Sequence, residues 1–149
     1  MVTPTLLFVI HSAGKSRGRS QAIIIKVKSL KREIMQLIDL DMLDRNCASD
    51  NSMKRDLVMM SMERLENSLE EFERSLATGN WDNLGRTIHK LRPVLSYCGI
   101  TGLNDELETY EVNAMERKNL EELPEKISGV SSILSSALEE LKDLLTTLT

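Results

Sequence analysis

The spacing of the apolar residues is the feature that most constrains how this chain can fold. From about residue 51 onward they recur every three or four positions, which places them on one face of an α-helix. One such run contains Val58, Met62, Leu65, Leu69, Phe72 and Leu76. Aromatic residues make up only 3% of the 149 residues, and there are only three prolines. Aliphatic side chains on helices must therefore fill the core, and we predict an all-α fold.

Turn and capping residues divide this region into four long helices. The first begins at one of the capping residues 48–52 and ends before Gly79, and the second runs from about Trp81 to Cys98. The third begins near Thr101. The last has Pro124 in its first turn, and its apolar face contains Leu123, Ile127, Val130, Leu134, Leu138, Leu141, Leu145 and Leu148. Because the connections are short, we predict an antiparallel up-down-up-down four-helix bundle.

The first 33 residues differ in composition from the rest. They contain seven Lys and Arg against one acidic residue, Glu33, whereas residues 34–149 contain 12 basic and 22 acidic residues. We predict a basic linker or poorly ordered lead over residues 1–33 and a bundle domain over residues 34–149. A short helix at residues 39–46 is expected to pack on the bundle. Residues 22–27 are β-branched and strand-like, although no second strand is evident to pair with them.

The composition also argues against several classes of function. Residues 34–149 are acidic, whereas binding to a nucleic-acid backbone requires a basic face, so we expect no nucleic-acid partner. Cys47 and Cys98 are far apart and belong to no CxxC motif or His cluster, which favours reduced thiols in a cytoplasmic protein without a bound metal. No apolar run approaches the ~20 residues that span a bilayer, so we expect no membrane insertion.

His89 is the candidate functional residue, because it lies on the polar side of the second long helix. The apolar stripe of that helix consists of Leu84, Ile88, Leu91, Leu95 and Cys98. At about 100° per residue, His89 lies about 140° from the centre of this stripe and should face water. Gly85 and Ser96 are small and leave the imidazole uncovered, and a close-approaching partner surface would explain a glycine inside a helix. Lys90 and Arg92 place positive charge nearby, although both also fit an ordinary solvated helix face.

The segment around His89 resembles the central motif of histidine phosphotransfer (HPt) domains. That motif is roughly D-W-x-x-L-x-x-x-A-H-x-L-K-G. The residues that match it in position and character, without a gap, are Asn80, Trp81, Leu84, His89, Leu91 and Arg92. Further on, "CGITGL" and "LETYE" resemble the turn and helix that follow in the family. The similarity extends over about residues 39–145 and points to the HPt domains of bacterial hybrid two-component sensors.

The resemblance implies a phosphorelay intermediate without kinase activity of its own. His89 would accept a phosphoryl group from the aspartate of a receiver domain and pass it to another receiver aspartate. Lys90 and Arg92 would stabilise the phosphoryl charge. The surface that docks the receiver would include Gly85, Arg86, Pro93 and Ser96. Mg²⁺ would belong to the receiver, and the chain itself is expected to need no cofactor and to be a monomer.

The sequence departs from the family motif, and other interpretations stay open. Ile88 replaces the usual small residue, Arg92 the usual lysine and Pro93 the usual glycine. Because proline cannot donate to the carbonyl of His89, we predict a mild bend there. "HKLRPVL" also resembles the phosphoacceptor motif of sensor histidine kinases, but Lys90 stands where that motif has an acidic residue, and only 60 residues follow His89. The remaining alternative is a helical adaptor whose His89 is not phosphorylated.

Overall fold

Five helices follow one another along the part of the chain that forms the bundle. In this computed structural model the described residues are 21–24, 26 and 37–148. The helices are α1 (Leu40–Asn46), α2 (Asn51–Thr78), α3 (Trp81–Tyr97), α4 (Asn104–Glu116) and α5 (Leu123–Thr147). Over the described residues the only β-type pairing is an isolated antiparallel bridge between Ile38 and Ile100. The prediction of an all-α fold is confirmed for this part of the chain.

Short polar side chains define where the first three helices begin. Asp39, Asp50 and Asn80 are the N-caps of α1, α2 and α3, and each accepts a backbone N–H from the first turn. α2 ends at Gly79, whose φ of 65° is left-handed, and Gly99 follows α3 with a φ of 82°. These stops agree with the sequence prediction. By contrast, α4 begins at residue 104, three residues later than predicted.

The core lies where α2 packs against α3 and α5, and where α3 packs against α4. The whole predicted stripe of α3 is buried, and so are the predicted apolar residues of α5 from Leu123 to Leu141. α2 differs from the prediction, because its fully buried face includes three serines at seven-residue spacing, Ser61, Ser68 and Ser75. Small side chains at these positions let the neighbouring helices approach α2 closely. The predicted Met62, Leu69 and Leu76 are only partly buried against the core.

The segment before α1 and α1 itself are held to the bundle by hydrogen bonds. The backbone N–H of Asp39 donates to the carbonyl of Gly99 at 2.7 Å. The Glu140 carboxylate on α5 accepts the backbone N–H groups of Leu37 and Ile38 at 2.9–3.1 Å. At the end of α1, Asn46 Nδ2 donates to the carbonyl of residue 97 at 3.0 Å. The short helix predicted at residues 39–46 is therefore present as α1 and packs on the bundle.

The chain divides into two units, Met1–Gln36 and Leu37–Thr149, and all five helices belong to the second. Within the first unit, the described residues 21–24 and 26 are helical. The strand-like interpretation of residues 22–27 is therefore wrong for the four of them that are described. Without a second strand to pair with, a helix is the conformation that satisfies the backbone hydrogen bonds locally. The basic linker predicted for residues 1–33 otherwise lies outside the described residues.

Among the described residues, no helix has both the length and the apolar character needed to cross a membrane.

Candidate functional site: an exposed histidine on α3

His89 lies in the middle of α3 with its side chain turned to solvent. The side chain is 73% exposed, whereas the preceding residue, Ile88, is completely buried. The orientation predicted from the helical wheel is therefore confirmed. α3 continues through Pro93 as a single helix. Since proline has no N–H, the carbonyl of His89 lacks its usual donor one turn later. The mild bend expected at this point stays a prediction.

A carboxylate on the neighbouring helix holds the imidazole ring. Nδ1 of His89 lies 2.7 Å from Oε1 of Glu111 on α4. The other oxygen of Glu111 accepts a hydrogen bond from Nη1 of Arg92 at 3.0 Å. Glu111 is only 17% exposed, so this carboxylate sits at the junction of α3 and α4 and bridges the two α3 side chains. Sequence reasoning placed Glu111 on the correct helix and gave it no role.

The contact with Glu111 determines which ring nitrogen is available for chemistry. A carboxylate only accepts hydrogen bonds, so the proton of the neutral imidazole belongs on Nδ1. Nε2 then carries the free lone pair, at the solvent-facing edge of an exposed ring. Such an acidic partner fixes the ring orientation. The arrangement therefore presents Nε2 of His89 as an accessible nucleophile.

Arg92 is engaged with acidic residues of α4. Besides its bond to Glu111, its Nη2 lies 3.3 Å from Oε2 of Glu108. Two carboxylates therefore share this guanidinium, which is 27% exposed. The sequence predicted that Arg92 would stabilise phosphoryl charge beside the ring. In the structure its contacts fix Glu111, the residue that orients His89.

A small groove beside the ring contains Lys90, the other predicted cation, and the predicted docking residue Arg86. Gly85, Arg86, His89, Lys90, Glu111 and Met115 line it, and its volume is about 290 Å³. We refer to it as the histidine groove. Arg86 and Lys90 are both exposed, and neither forms an ion pair with any described residue. The free positive charge at this site therefore comes from Arg86 and Lys90.

The predicted docking residues have different surroundings. Arg86 and Pro93 are exposed. Ser96 is half-buried, and its hydroxyl accepts a hydrogen bond from Asn104 Nδ2 at 3.0 Å. Gly85 is buried. A Cβ added there would lie 2.5 Å from Sδ of Met115 on α4. Gly85 therefore packs against the Met115 side chain of α4, and its role in docking a partner stays a prediction.

The described residues contain no group of three or more His, Cys, Asp or Glu side chains that could hold a metal ion. Cys47 and Cys98 are free thiols, and both are completely buried. Burial raises the pKa of the Cys98 thiol above its usual value of 9.0, since a thiolate is poorly solvated there. These residues belong to the core rather than to the site.

Over the described residues, the structure is an all-helical domain that presents the imidazole of His89 on its surface. It is similar to the crystal structure of the HPt domain from a hybrid sensor histidine kinase of Shewanella. The TM-score is 0.68 at 18% sequence identity, and the match covers 77% of this chain and 98% of that domain. No protein-family model matches the sequence, and no curated protein matches it significantly. The chain therefore has the fold of an HPt domain.

Proposed function

We propose that this chain is a phosphorelay intermediate of two-component signalling. In this role it accepts a phosphoryl group from a receiver-domain aspartate onto His89 and passes it to another receiver aspartate. The observation that carries the proposal is the exposed His89 ring with Nδ1 held by Glu111 at 2.7 Å. The HPt fold of the domain supports the same conclusion.

The transfer step uses the atoms that the site leaves accessible. The lone pair of His89 Nε2 attacks the phosphorus of the aspartyl phosphate, and an N–P bond forms. The bond between phosphorus and the aspartate oxygen breaks, and its electron pair stays on the aspartate as a carboxylate. The ring becomes positively charged while Nδ1 keeps its proton. Glu111 stabilises that charge through the hydrogen bond it already makes, so no group has to move when the charge develops.

The nearby cations have two different tasks in this proposal. Lys90 and Arg86 line the histidine groove together with His89 and offset the negative charge of the phosphoryl group. Arg92 acts through Glu111 and is a positioning residue. The receiver supplies the Mg²⁺ that this chemistry requires, and this chain supplies the nucleophile and the surface on which the receiver docks. The chain is a carrier, so ATP takes no part in the reaction.

We also propose that α2, α3, α4 and α5 alternate in direction as an up-down-up-down bundle. Only residues 79–80 separate α2 from α3, and six residues each separate α3 from α4 and α4 from α5. Such short connections place successive helices antiparallel. A monomer with this architecture leaves the face around His89 open to a receiver, with Arg86 and Pro93 on its exposed surface.

The proposal is tested by phosphotransfer from purified receiver domains. Each receiver is loaded with radiolabelled acetyl phosphate and mixed with the wild type, with His89→Gln or with His11→Gln as the matched control. We expect acid-labile, base-stable label on the wild type and on the control, and none on His89→Gln. If no receiver of the source organism transfers label to the wild type, the proposal is wrong. Labelling by ATP alone would instead indicate a kinase fragment, and receiver binding without labelling would indicate an adaptor.

A further inference from the structure

The thioether of Met115 lies against α3 at Gly85, one turn before His89. Its sulfur takes the space beside the α3 backbone that a Cβ of residue 85 would need. Met115 is nevertheless an exposed residue, and it lines the histidine groove together with His89. The side chain of Met115 therefore borders α3 on one side and the groove beside the imidazole on the other.

Met115 differs in its position from the other sulfur-containing side chains. Over the described residues, the exposed methionines are Met53, Met59, Met60 and Met115. The first three lie on α2, and none of them lines the histidine groove. The thiols of Cys47 and Cys98 are completely buried and are shielded from dissolved oxidants. Among the described residues, Met115 is therefore the exposed sulfur side chain in the wall of the groove that contains His89.

We propose that Met115 is an oxidation site, at which conversion of the thioether to a sulfoxide slows phosphotransfer to His89. The oxidant is a hydroperoxide, and hydrogen peroxide is the simplest member of this class. A lone pair of the sulfur attacks one peroxide oxygen, the O–O bond breaks, and an S–O bond forms. The second oxygen leaves as hydroxide and takes the proton of the first to give water. The sulfur loses two electrons and the peroxide gains them.

The sulfoxide oxygen changes the surroundings of the imidazole. Since the sulfur already fills the space beside Gly85, the added oxygen has to project into the histidine groove. This oxygen is a polar acceptor, and the side chains of Arg86 and Lys90 line the same groove as donors. A hydrogen bond from either cation to the sulfoxide competes with the phosphoryl group for that positive charge. This consequence rests on the proposed function, whereas the oxidation itself does not.

Peroxide treatment of the wild type, Met115→Leu and Met60→Leu tests the proposal. Met60 is the matched control, because it is 47% exposed against 50% for Met115 and lies on α2. Peptide mass spectrometry locates the added oxygen, and thermal melts establish that each treated protein stays folded. The rate of transfer from a loaded receiver is divided by the rate of the same protein before treatment.

We expect oxygen on Met115 of the wild type and of Met60→Leu, with transfer slowed at least about threefold in both. Met115→Leu should keep its own rate, although its other exposed methionines are oxidised. Three results would overturn the proposal. They are an equal loss of rate in Met115→Leu, an unchanged rate in the wild type once Met115 is oxidised, and no oxygen on Met115 at a dose that oxidises Met60.

Reductants identify the chemical group that is responsible. Methionine sulfoxide reductases, one for each epimer at sulfur, should restore the rate of the oxidised wild type when dithiothreitol supplies their electrons. Dithiothreitol alone reduces oxidised cysteines but leaves sulfoxides intact, so it should restore nothing. Recovery with dithiothreitol alone would assign the loss to Cys47 or Cys98 and would contradict the proposal.

Failure of the proposed function gives a different result. If no receiver transfers phosphate to the untreated wild type, the proposed function is refuted, and the effect of oxidation is read from the ¹⁵N signals of the His89 ring. These signals should shift when the wild type is oxidised and stay in place when Met115→Leu is oxidised. Equal shifts in the two proteins, or no shift in either, would overturn the inference about Met115.

Discussion

Replacing Glu111 by alanine removes the carboxylate that bridges His89 and Arg92. The two hydrogen bonds that are lost measure 2.7 Å to Nδ1 of His89 and 3.0 Å to Nη1 of Arg92. Without its acidic partner, the ring is free to rotate and to place its proton on either nitrogen. We therefore expect Glu111→Ala to slow transfer to His89 while the histidine itself remains present and exposed.

The size of the effect follows from the exposure of the two partners. A hydrogen bond to a charged group contributes about 1.5–3 kcal/mol. Because His89 is 73% exposed, water competes for Nδ1, and the lower end of this range applies. A loss of about 1.5 kcal/mol corresponds to a rate about tenfold lower. Loss of the second bond also leaves Arg92 with Glu108 alone, which should lower the free energy of unfolding by about 1–2 kcal/mol.

The assay measures the single-turnover rate of transfer from a loaded receiver, well below the melting temperature of the variant. Glu108→Ala is the matched control, because Glu108 contacts the same arginine at 3.3 Å but is 61% exposed. This control should change the rate by less than about twofold. ¹⁵N NMR of the imidazole gives a second reading that a purely structural role would not affect. It should show the proton on Nδ1 in the wild type and a shift toward Nε2 in Glu111→Ala.

Two results would refute this reasoning. The first is a transfer rate for folded Glu111→Ala equal to that of the wild type, since the carboxylate would then have no role in presenting Nε2. The second is an NMR spectrum in which the proton lies on Nε2 of the wild-type ring. In that case Nδ1 of the neutral ring would have no proton to donate to Glu111, and Nε2 would have no free lone pair with which to attack phosphorus.

Four further changes test the fold. Asn80→Ala removes the N-cap of α3 and should cost about 1 kcal/mol, measured as a lower urea midpoint. Phe72→Ala empties a core position that is 1% exposed and should cost about 3–5 kcal/mol in the same assay. Glu140→Ala removes the acceptor for two backbone N–H groups before α1, so hydrogen exchange at residues 37 and 38 should accelerate. The raised pKa of Cys98 means that the folded state holds this proton more tightly than the unfolded state. Stability should therefore fall as pH rises above about 9, less so in Cys98→Ala, as urea titrations at pH 7 and 10 would show.

Much of the helical pattern could be predicted from the sequence, because it depends on local spacing. The apolar stripe of α3 needs only a period of 3.6 residues, and the stops at Gly79 and Gly99 need only a residue that tolerates a positive φ. The exposure of His89 follows from the same wheel. These are properties of one helix at a time, so a single sequence contains them.

The parts that could not be predicted depend on how the helices pack against one another. Three serines of α2 have the polar side chains that a sequence assigns to an exposed face. They are nevertheless buried, because neighbouring helices come close to α2 at Ser61, Ser68 and Ser75. Glu111 is 22 residues from His89 and lies on another helix, so no spacing rule pairs them. The sequence contains one signal for this pairing of helices: α4 is acidic, and basic residues follow His89 on α3. Pairing Arg92 with α4 in this way would have predicted its ion pairs.

The fit between Gly85 and Met115 has a consequence for access to the histidine. A methyl group at residue 85 would lie 2.5 Å from Sδ and 2.8 Å from Cγ of Met115, so the flexible Met115 side chain would have to move aside. Met115 is also part of the wall of the histidine groove and is 50% exposed. The width of the entrance beside His89 is therefore controlled by a buried residue. Gly85→Ala would therefore reshape that entrance by moving Met115, although the substituted residue itself is buried.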